Sequence, residues 1–360
     1  MEKRLDKHKF ENLDKESLVD WLKERDHDLI QLLHQKAYEV KVANIGNKVF
    51  LRGLIELSNK CVKNCLYCGI RCANTSVDRY ELTDEQVFEA ADFALYSRYG
   101  SLVLQAGERV DSAFRKRVTS LVKEIKRRTD NRLGITLSLG EQPEEVYREW
   151  FDAGAHRYLL RIESSNPDIY SKIHPNDSLH SFDTRLNSLE ALKRIGYQTG
   201  TGVMIGLPGQ TEENLADDLL FFKSFGVHMV GMGPYLKHSD TPLGQISSGT
   251  SSMEMPLKMI SLLRLLMPKI NIASTTALQV IDPFGREMGI MAGANIIMPN
   301  MTISEVRTNY QIYENKPGVK DDATVSKSKL EQNLSSKGIE IGWDEWGDSR
   351  AFKEKHEVNL

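Results

Sequence analysis

Residues 49–72 read VFLRGLIELSNKCVKNCLYCGIRC. The first ten, rich in Val, Leu, Ile and Phe and free of proline, read as a strand that runs straight into four cysteines. These are Cys61, Cys65, Cys68 and Cys72, and the chain has no others. Thiols gathered in one short loop are placed to surround metal, whereas a disulfide framework scatters its cysteines to close large loops. Cys61-x3-Cys65-x2-Cys68 sets three thiolates in that loop, with Tyr67 just before the third. Structural zinc usually draws paired CxxC units from two segments, and neither a second CxxC nor a paired-histidine motif follows. Three thiolates can instead hold three irons of a 4Fe–4S cluster and leave the fourth open to a small molecule. Zinc, or a cluster with a purely structural role, is the bland alternative. Cys72 reads as an unrelated surface thiol or else as the fourth ligand of a closed cluster.

Upstream, residues 15–43 carry apolar side chains at helical spacing and predict two helices. The charged N-terminus has no apolar signal core, so the expected location is cytoplasmic. Downstream, strand and helix alternate for about 250 residues. After 49–58 the strands are SLVLQAG (101–107), ITLSLG (135–140), RYLLRIES (157–164), TGVMIGLPG (201–209), HMVGMGPYL (228–236), INIASTTAL (270–278) and ANIIMPN (294–300). Helices fill the intervals, the first opened by a capping box from Thr83 to Gln86. Eight such units predict the α/β class and a (β/α)8 TIM-type barrel. The expected organisation is an N-terminal helical extension (1–45), the barrel (46–315) and a C-terminal extension (316–360). That extension reads as a polar loop, a short helix ending at Gly338 and a charged tail expected to fray.

Over all 360 residues, 40 % are hydrophobic and 27 % charged, ordinary for a soluble globular protein and excluding collagenous or wholly disordered readings. With 47 Lys and Arg against 50 Asp and Glu, the net charge is −3, and no global basic field points to nucleic acid. No continuous apolar span of about 20 residues predicts a membrane helix.

A barrel of this kind carries its chemistry where the strands end. The second strand ends Gln105-Ala106-Gly107-Glu108, a turn followed by a carboxylate suited to an ammonium group. Thr136 and Ser138 share a face of the third, and Arg161 and Glu163 share a face of the fourth. Charges aimed into a barrel are expensive without a ligand or partner, which favours a function for that pair. Arg52 on the first strand has the same inward reading. Arg185 could meet a carboxylate bidentately. The GLPG turn at 206–209 and Thr275-Thr276 complete the polar strand ends, and the methionines at 204, 232 and 298 read as core.

The CxxxCxxC loop resembles that of the radical SAM enzymes. The strings LQAGE, TLSLGE, RYLLRIES, GLPGQT and GANIIMPN, spread over residues 40–315, resemble the HydE family of FeFe-hydrogenase maturases. The resemblance implies that Cys61, Cys65 and Cys68 hold the 4Fe–4S cluster. It implies S-adenosylmethionine contacts from Glu163 and Arg185, with Tyr67, Gln105, Thr136 and Ser138 lining the same pocket. It implies anion- or substrate-binding groups at Arg52, Arg161, Thr275, Thr276 and Tyr310. The implied activity is reductive cleavage of S-adenosylmethionine to a 5′-deoxyadenosyl radical, used in H-cluster assembly on a small iron–cysteine complex bearing CO and cyanide. Implied partners are an electron donor such as ferredoxin or flavodoxin, with HydG and HydF. Many members of that family carry three further cysteines near the C-terminus, and this chain has none after Cys72, so no second iron–sulfur cluster is expected.

Two alternatives share the scaffold: a lysine mutase like methylornithine synthase, and a sulfur inserter like biotin synthase, whose extra strand cysteines are missing here. A third, of another class, is a non-catalytic metal-binding barrel.

Overall fold

A computed structural model describes residues 10–246, 252–317 and 323–357. The first nine residues of the charged N-terminus, residues 318–322 of the expected polar loop and the last three residues lie outside them. The chain opens with α1 (Lys15–Lys23) and α2 (His27–Ile45), whose first-turn N–H groups are capped by Asp14 and Asp26. There follow β1 (Lys48–Ser58), α3 (Asp84–Tyr96), β2 (Ser101–Ala106), α4 (Ser112–Arg128), β3 (Gly134–Ser138), α5 (Glu144–Asp152) and β4 (Arg157–Leu159). Next come α6 (Pro167–Ile173), α7 (Phe182–Ile195), β5 (Gln198–Thr201) continued by β6 (Met204–Ile205), α8 (Glu212–Phe225), and β7 (Met229–Val230) continued by β8 (Gly233–Pro234). The rest is α9 (Pro242–Ile246), α10 (Glu254–Leu266), β9 (Asn271–Ile272), α11 (Thr276–Ile281), α12 (Gly285–Met291), β10 (Ile296–Ile297), α13 (Ser304–Arg307), α14 (Ala323–Ser336), β11 (Glu340–Ile341) and α15 (Arg350–Glu357).

The sheet runs β10-β1-β2-β3-β4-β5-β7-β9, with every pair parallel. A parallel bridge from Ala273 to Ile296 joins its two edges, with Ser274 N–H donating to the Ile296 carbonyl at 2.8 Å. The eight expected strands thus close into the expected barrel. All of β1 but Lys48 is buried, as a parallel strand covered on both faces requires. The Thr83–Gln86 capping box forms as predicted. No helix among the described residues is long and apolar enough to cross a membrane.

Three expectations need correction. The seventh strand stops before Thr275, because Thr275 stands at the N-cap position of α11 and Thr276 begins it. The helix α6 was not expected; Asn166, whose side chain accepts from Ile169 N–H, and Pro167 open it. The described part of the C-terminal tail is folded rather than frayed: β11 pairs with the start of β1, and residues 346–349 seal the amino end of the barrel.

That seal is polar. The Gly347 carbonyl accepts from Arg52 at 3.1 Å and from Asn271 at 2.8 Å. Arg157, fully buried, donates to the Trp346 carbonyl at 2.8 Å and to the Asp348 carboxylate at 2.6 Å. Gln198 donates to Asp348 and accepts from the Ser349 N–H. Burial alone would raise the Asp348 carboxyl, but His156, Arg157 and Gln198 hold it well below the usual aspartate range. Its stabilising contribution is therefore present above that range and is lost as the pH falls through the depressed value. The N-terminal helices pack on the flank instead, α1 on α8 and α2 on α10.

Asp348→Ala leaves a buried guanidinium without its carboxylate, so urea unfolding should show a loss of about 3–5 kcal/mol. Glu345→Ala, which breaks an exposed pair with Lys48, should cost no more than about 1 kcal/mol. Equal effects would mean that the seal is not held by charge.

Candidate active site

The cysteine loop begins where β1 ends. Ser58 Oγ donates to the Tyr80 carbonyl at 2.7 Å, and Asn59 Nδ2 reaches the carbonyls of Asp78 and Asn309. The loop then lies on the exit of β2, and Gly107 permits this: a Cβ there would sit 2.4 Å from the Lys60 carbonyl oxygen and 2.8 Å from Cys61 Cβ. Cys61 Sγ accepts from Glu108 N–H at 3.3 Å. Further along, Leu66 N–H donates to the Ile173 carbonyl and Gly69 N–H to that of Ile312. Segment 310–316 therefore crosses the loop.

Burial pushes the Cys61 and Cys68 thiols up and the Cys65 thiol to about 12, and Cys65 and Cys68 are raised further by neighbouring thiols. Left alone, these groups stay protonated at neutral pH, whereas a bound cationic cluster provides the charge that ionises them. Among the described residues no three His, Cys, Asp or Glu side chains converge as one metal ion would need. The donor set, three half-buried cysteines in one loop with backbone N–H groups aimed at Cys61 and Cys68, fits an iron–sulfur cluster. Cys72 is exposed, and its N–H is tied to the Lys63 carbonyl.

Lys63, inside the loop, is buried and pairs with Glu141 at 2.7 Å and Glu108 at 3.2 Å. Arg185 pairs with the other oxygen of Glu141 and donates through Nη1 to the Arg161 carbonyl at 2.6 Å. Burial would raise Glu141, but Arg185 and Lys63 pull it below the usual range; burial keeps Glu108 above it. Glu108 is thus engaged by Lys63 and by Glu141 N–H at 2.9 Å, packed where Gly140 leaves room. This corrects the expectation that it waits for a ligand's ammonium.

Several predicted residues do meet at this end. The Tyr67 hydroxyl hydrogen-bonds the Cys65 thiol, and burial holds its pKa far above the usual phenol value. Arg161 pairs with Glu163 at 2.9 Å, and the Glu163 charge is felt at Tyr67 and Cys68. Glu163 holds a left-handed backbone, φ +65°, a strain of about 1–3 kcal/mol that clusters at functional sites. Gln105 donates to the Tyr310 hydroxyl at 3.1 Å, and Ser138 sits beside Gln105 in register.

Others do not meet there. Arg52 lies at the sealed amino end, bonded to Gly347 and to Met229 Sδ, four residues into a strand whose exit carries the site. Thr136 accepts from Arg157 at 3.0 Å and belongs to the same lower layer. Thr275 and Thr276 do lie at the carboxyl end, where the chain leaves β9, but their hydroxyls are engaged within the fold: Thr275 donates to the Met232 carbonyl, and Thr276 accepts from Arg286. Sequence reading missed Lys63, Glu141 and the buried pair of Lys316 with Glu56. A charge inside the cysteine loop and a carboxylate directly after TLSLG were the available signals for the first two.

The family model of the radical SAM superfamily matches residues 55–222. The FeFe-hydrogenase maturase subunit HydE of Thermotoga maritima is 42 % identical over 350 residues, 97 % of this chain and 98 % of that protein. The 3-methylornithine synthase of Methanosarcina acetivorans is 30 % identical over 321 residues, 83 % of this chain and 87 % of that one. The crystal structure of methylornithine synthase superposes with a TM-score of 0.78 at 25 % identity over 97 % of both chains. That of the maturase HydG from Carboxydothermus hydrogenoformans gives 0.77 at 21 % identity, covering 95 % of this chain and 78 % of that one, a likeness of fold. A closed parallel barrel, a three-thiol loop at its carboxyl end and end-to-end identity lead to one assignment: the chain is a radical SAM enzyme and belongs to the HydE family.

Proposed function

We propose that this protein acts in FeFe-hydrogenase maturation. It cleaves S-adenosylmethionine reductively and turns the 5′-deoxyadenosyl radical on a small iron–cysteine complex bearing CO and cyanide. What carries the reading is one polar cluster: Tyr67, Glu163 and Arg185 beside three thiols, with Arg161 and the Gln105–Tyr310 pair at the same end of the barrel. When bound, the 4Fe–4S cluster on Cys61, Cys65 and Cys68 and the adenosylmethionine supply a low-potential electron and the adenosyl group.

The protein's own groups bind and orient. Glu163 offers a carboxylate to the ammonium of the methionyl group, and Arg185 offers its guanidinium to the carboxylate. Tyr67 donates to a cluster ligand and fills space at the loop. Arg161, a cation 31 % exposed at its side chain, suits a small anionic substrate. Segment 310–316 covers the loop and keeps water from a reactive species, fastened by Lys316 on Glu56. A ferredoxin or flavodoxin as electron donor, a cytoplasmic location, and exchange of substrate and product with HydG and HydF follow from the same reading.

Anaerobic reconstitution with iron and sulfide, then dithionite and S-adenosylmethionine, should release methionine and 5′-deoxyadenosine. Addition of the HydG product should divert the adenosyl group onto sulfur, detected by mass spectrometry. Turnover of lysine to methylornithine without an adenosylated sulfur species would sink the maturase reading in favour of the mutase. Iron counting tests the ligand set: Cys65→Ala should lose most bound iron, and Cys72→Ala should keep the wild-type ratio. Loss of iron in Cys72→Ala would mean a closed cluster.

A further inference from the structure

The wall beside the cysteine loop contains two buried polar atoms that have no hydrogen-bond partner, the Tyr170 hydroxyl and His174 Nε2. Tyr170 lies on α6 and His174 is its C-cap residue, and their rings stack with centroids 4.0 Å apart and 28° between planes. Burial pushes the His174 pKa down to about 3, so its ring is neutral. Its Nδ1 donates to the Tyr170 carbonyl at 2.9 Å, which leaves Nε2 a bare acceptor. Phe182 meets the Tyr170 ring edge-on at 5.3 Å, and Tyr67 meets the His174 ring edge-on at 5.5 Å. Tyr170 is 1 % exposed.

A buried hydroxyl without a partner is destabilising, and native interiors pair nearly all such groups. The titratable groups around this one are Arg185, Glu141, Cys65 and Glu163, all members of the site. Neither carboxylate accepts its proton: Glu141 is bound between Lys63 and Arg185, and Glu163 pairs with Arg161. Arg185 is itself partly engaged. Nε is on Glu141 and Nη1 on the Arg161 carbonyl, so Nη2 is its remaining edge. The two-pronged grip expected of Arg185 on a carboxylate is therefore not open to it, and a carboxylate held by Nη2 wants a second donor beside it. A phenol kept protonated by burial is such a donor. A ribose hydroxyl would meet the donor requirement without using the positive charge, so the carboxylate is the better match.

We infer that Tyr170 is a cofactor-binding residue whose hydroxyl donates to the methionyl carboxylate of S-adenosylmethionine, shared with the Nη2 edge of Arg185. The inference rests on the radical SAM reading. It explains why a full phenol stands at a position where phenylalanine would satisfy the packing.

The test compares the reconstituted wild-type holoenzyme with Tyr170→Phe. The probes are S-adenosylmethionine and 5′-methylthioadenosine, which lacks the amino-acid carboxylate, with Kd read by equilibrium dialysis. Tyr170→Phe should weaken adenosylmethionine binding about 10-fold, the low end for a hydrogen bond to a charged acceptor. Methylthioadenosine binding should stay within about twofold. The thermal midpoint without ligand should hold or rise, because an unsatisfied group has been removed. Unchanged adenosylmethionine affinity, or equal losses for both probes, overturns the assignment. So does a fall in the ligand-free midpoint, which would mean that the hydroxyl has a partner within the fold. A wild-type holoenzyme that binds neither probe overturns the proposed function, and the role of Tyr170 with it.

Discussion

A buried ammonium must be paired, and Lys63 is buried inside the one loop that has to hold three sulfurs in place. Its partners are Glu108 from the exit of β2, Glu141 from the exit of β3, and the Leu179 carbonyl beyond α6. Leaving the cation unpaired costs several kcal/mol, so the loop cannot drift from any of these segments independently. Glu141 passes the constraint on through Arg185 to the Arg161 carbonyl on the fourth strand. The loop and the charged side chains at the strand ends are thus one electrostatic unit rather than neighbours on separate strands. Glu108 illustrates the cost: a carboxylate that could have met a ligand is used to fix the loop.

The opposite end of the barrel meets a related requirement by other means. A reactive chamber open at both ends would admit water. Here the chain returns after α14, adds β11 to the edge of β1 and lays residues 346–349 across the opening. Trp346 and Gly347 present backbone carbonyls to Arg157 and Arg52, and Asp348 brings the negative charge. Phe50 packs against Gly347, where a Cβ would lie 2.6 Å from the phenylalanine Cβ; only glycine fits, and its φ of +63° asks for the same residue.

Most of the barrel was legible because long apolar runs between caps and glycines carry their own register. VFLRGLIELS, SLVLQAG and ITLSLG each form a strand within about two residues of the expected limits. The cysteine loop was legible from spacing alone. Legibility failed where tertiary partners decide. Arg52 and Thr136 face inward as alternation requires, but alternation does not say how far along the barrel axis a residue lies, and both sit in the sealed layer. The tail 340–357 looked too polar to fold, because Ile341, Trp343, Trp346 and Phe352 are scattered among charges without a periodic stripe, and much of its hold is a set of hydrogen bonds to arginines far away in sequence. Tyr170 was hidden because the short helix α6 has no periodic stripe, only the Asn-Pro start.

The two halves of the barrel differ in a way that places the polar groups. β1 and β2 share six register pairs and β2 and β3 five, whereas β5 with β7 and β7 with β9 share two each. The long ladders carry the cysteine loop and hold it on the part of the sheet with most backbone bonding. The short ladders are interrupted at Gly202 and Gly231, where the strands approach so closely that a Cβ on Gly202 would lie 1.9 Å from the Gly231 oxygen. Each interruption frees carbonyls from the ladder near the chamber. Arg161 donates to the Val203 carbonyl at 2.9 Å, and Thr275 to that of Met232 at 3.2 Å. A side chain at Gly202 would have to push the strands apart and move the Val203 carbonyl. Arg161 would then be left with Glu163 as its remaining partner. The broken strands of the second half therefore give Arg161 a backbone acceptor beside Glu163, so that the carboxylate is not the guanidinium's sole partner.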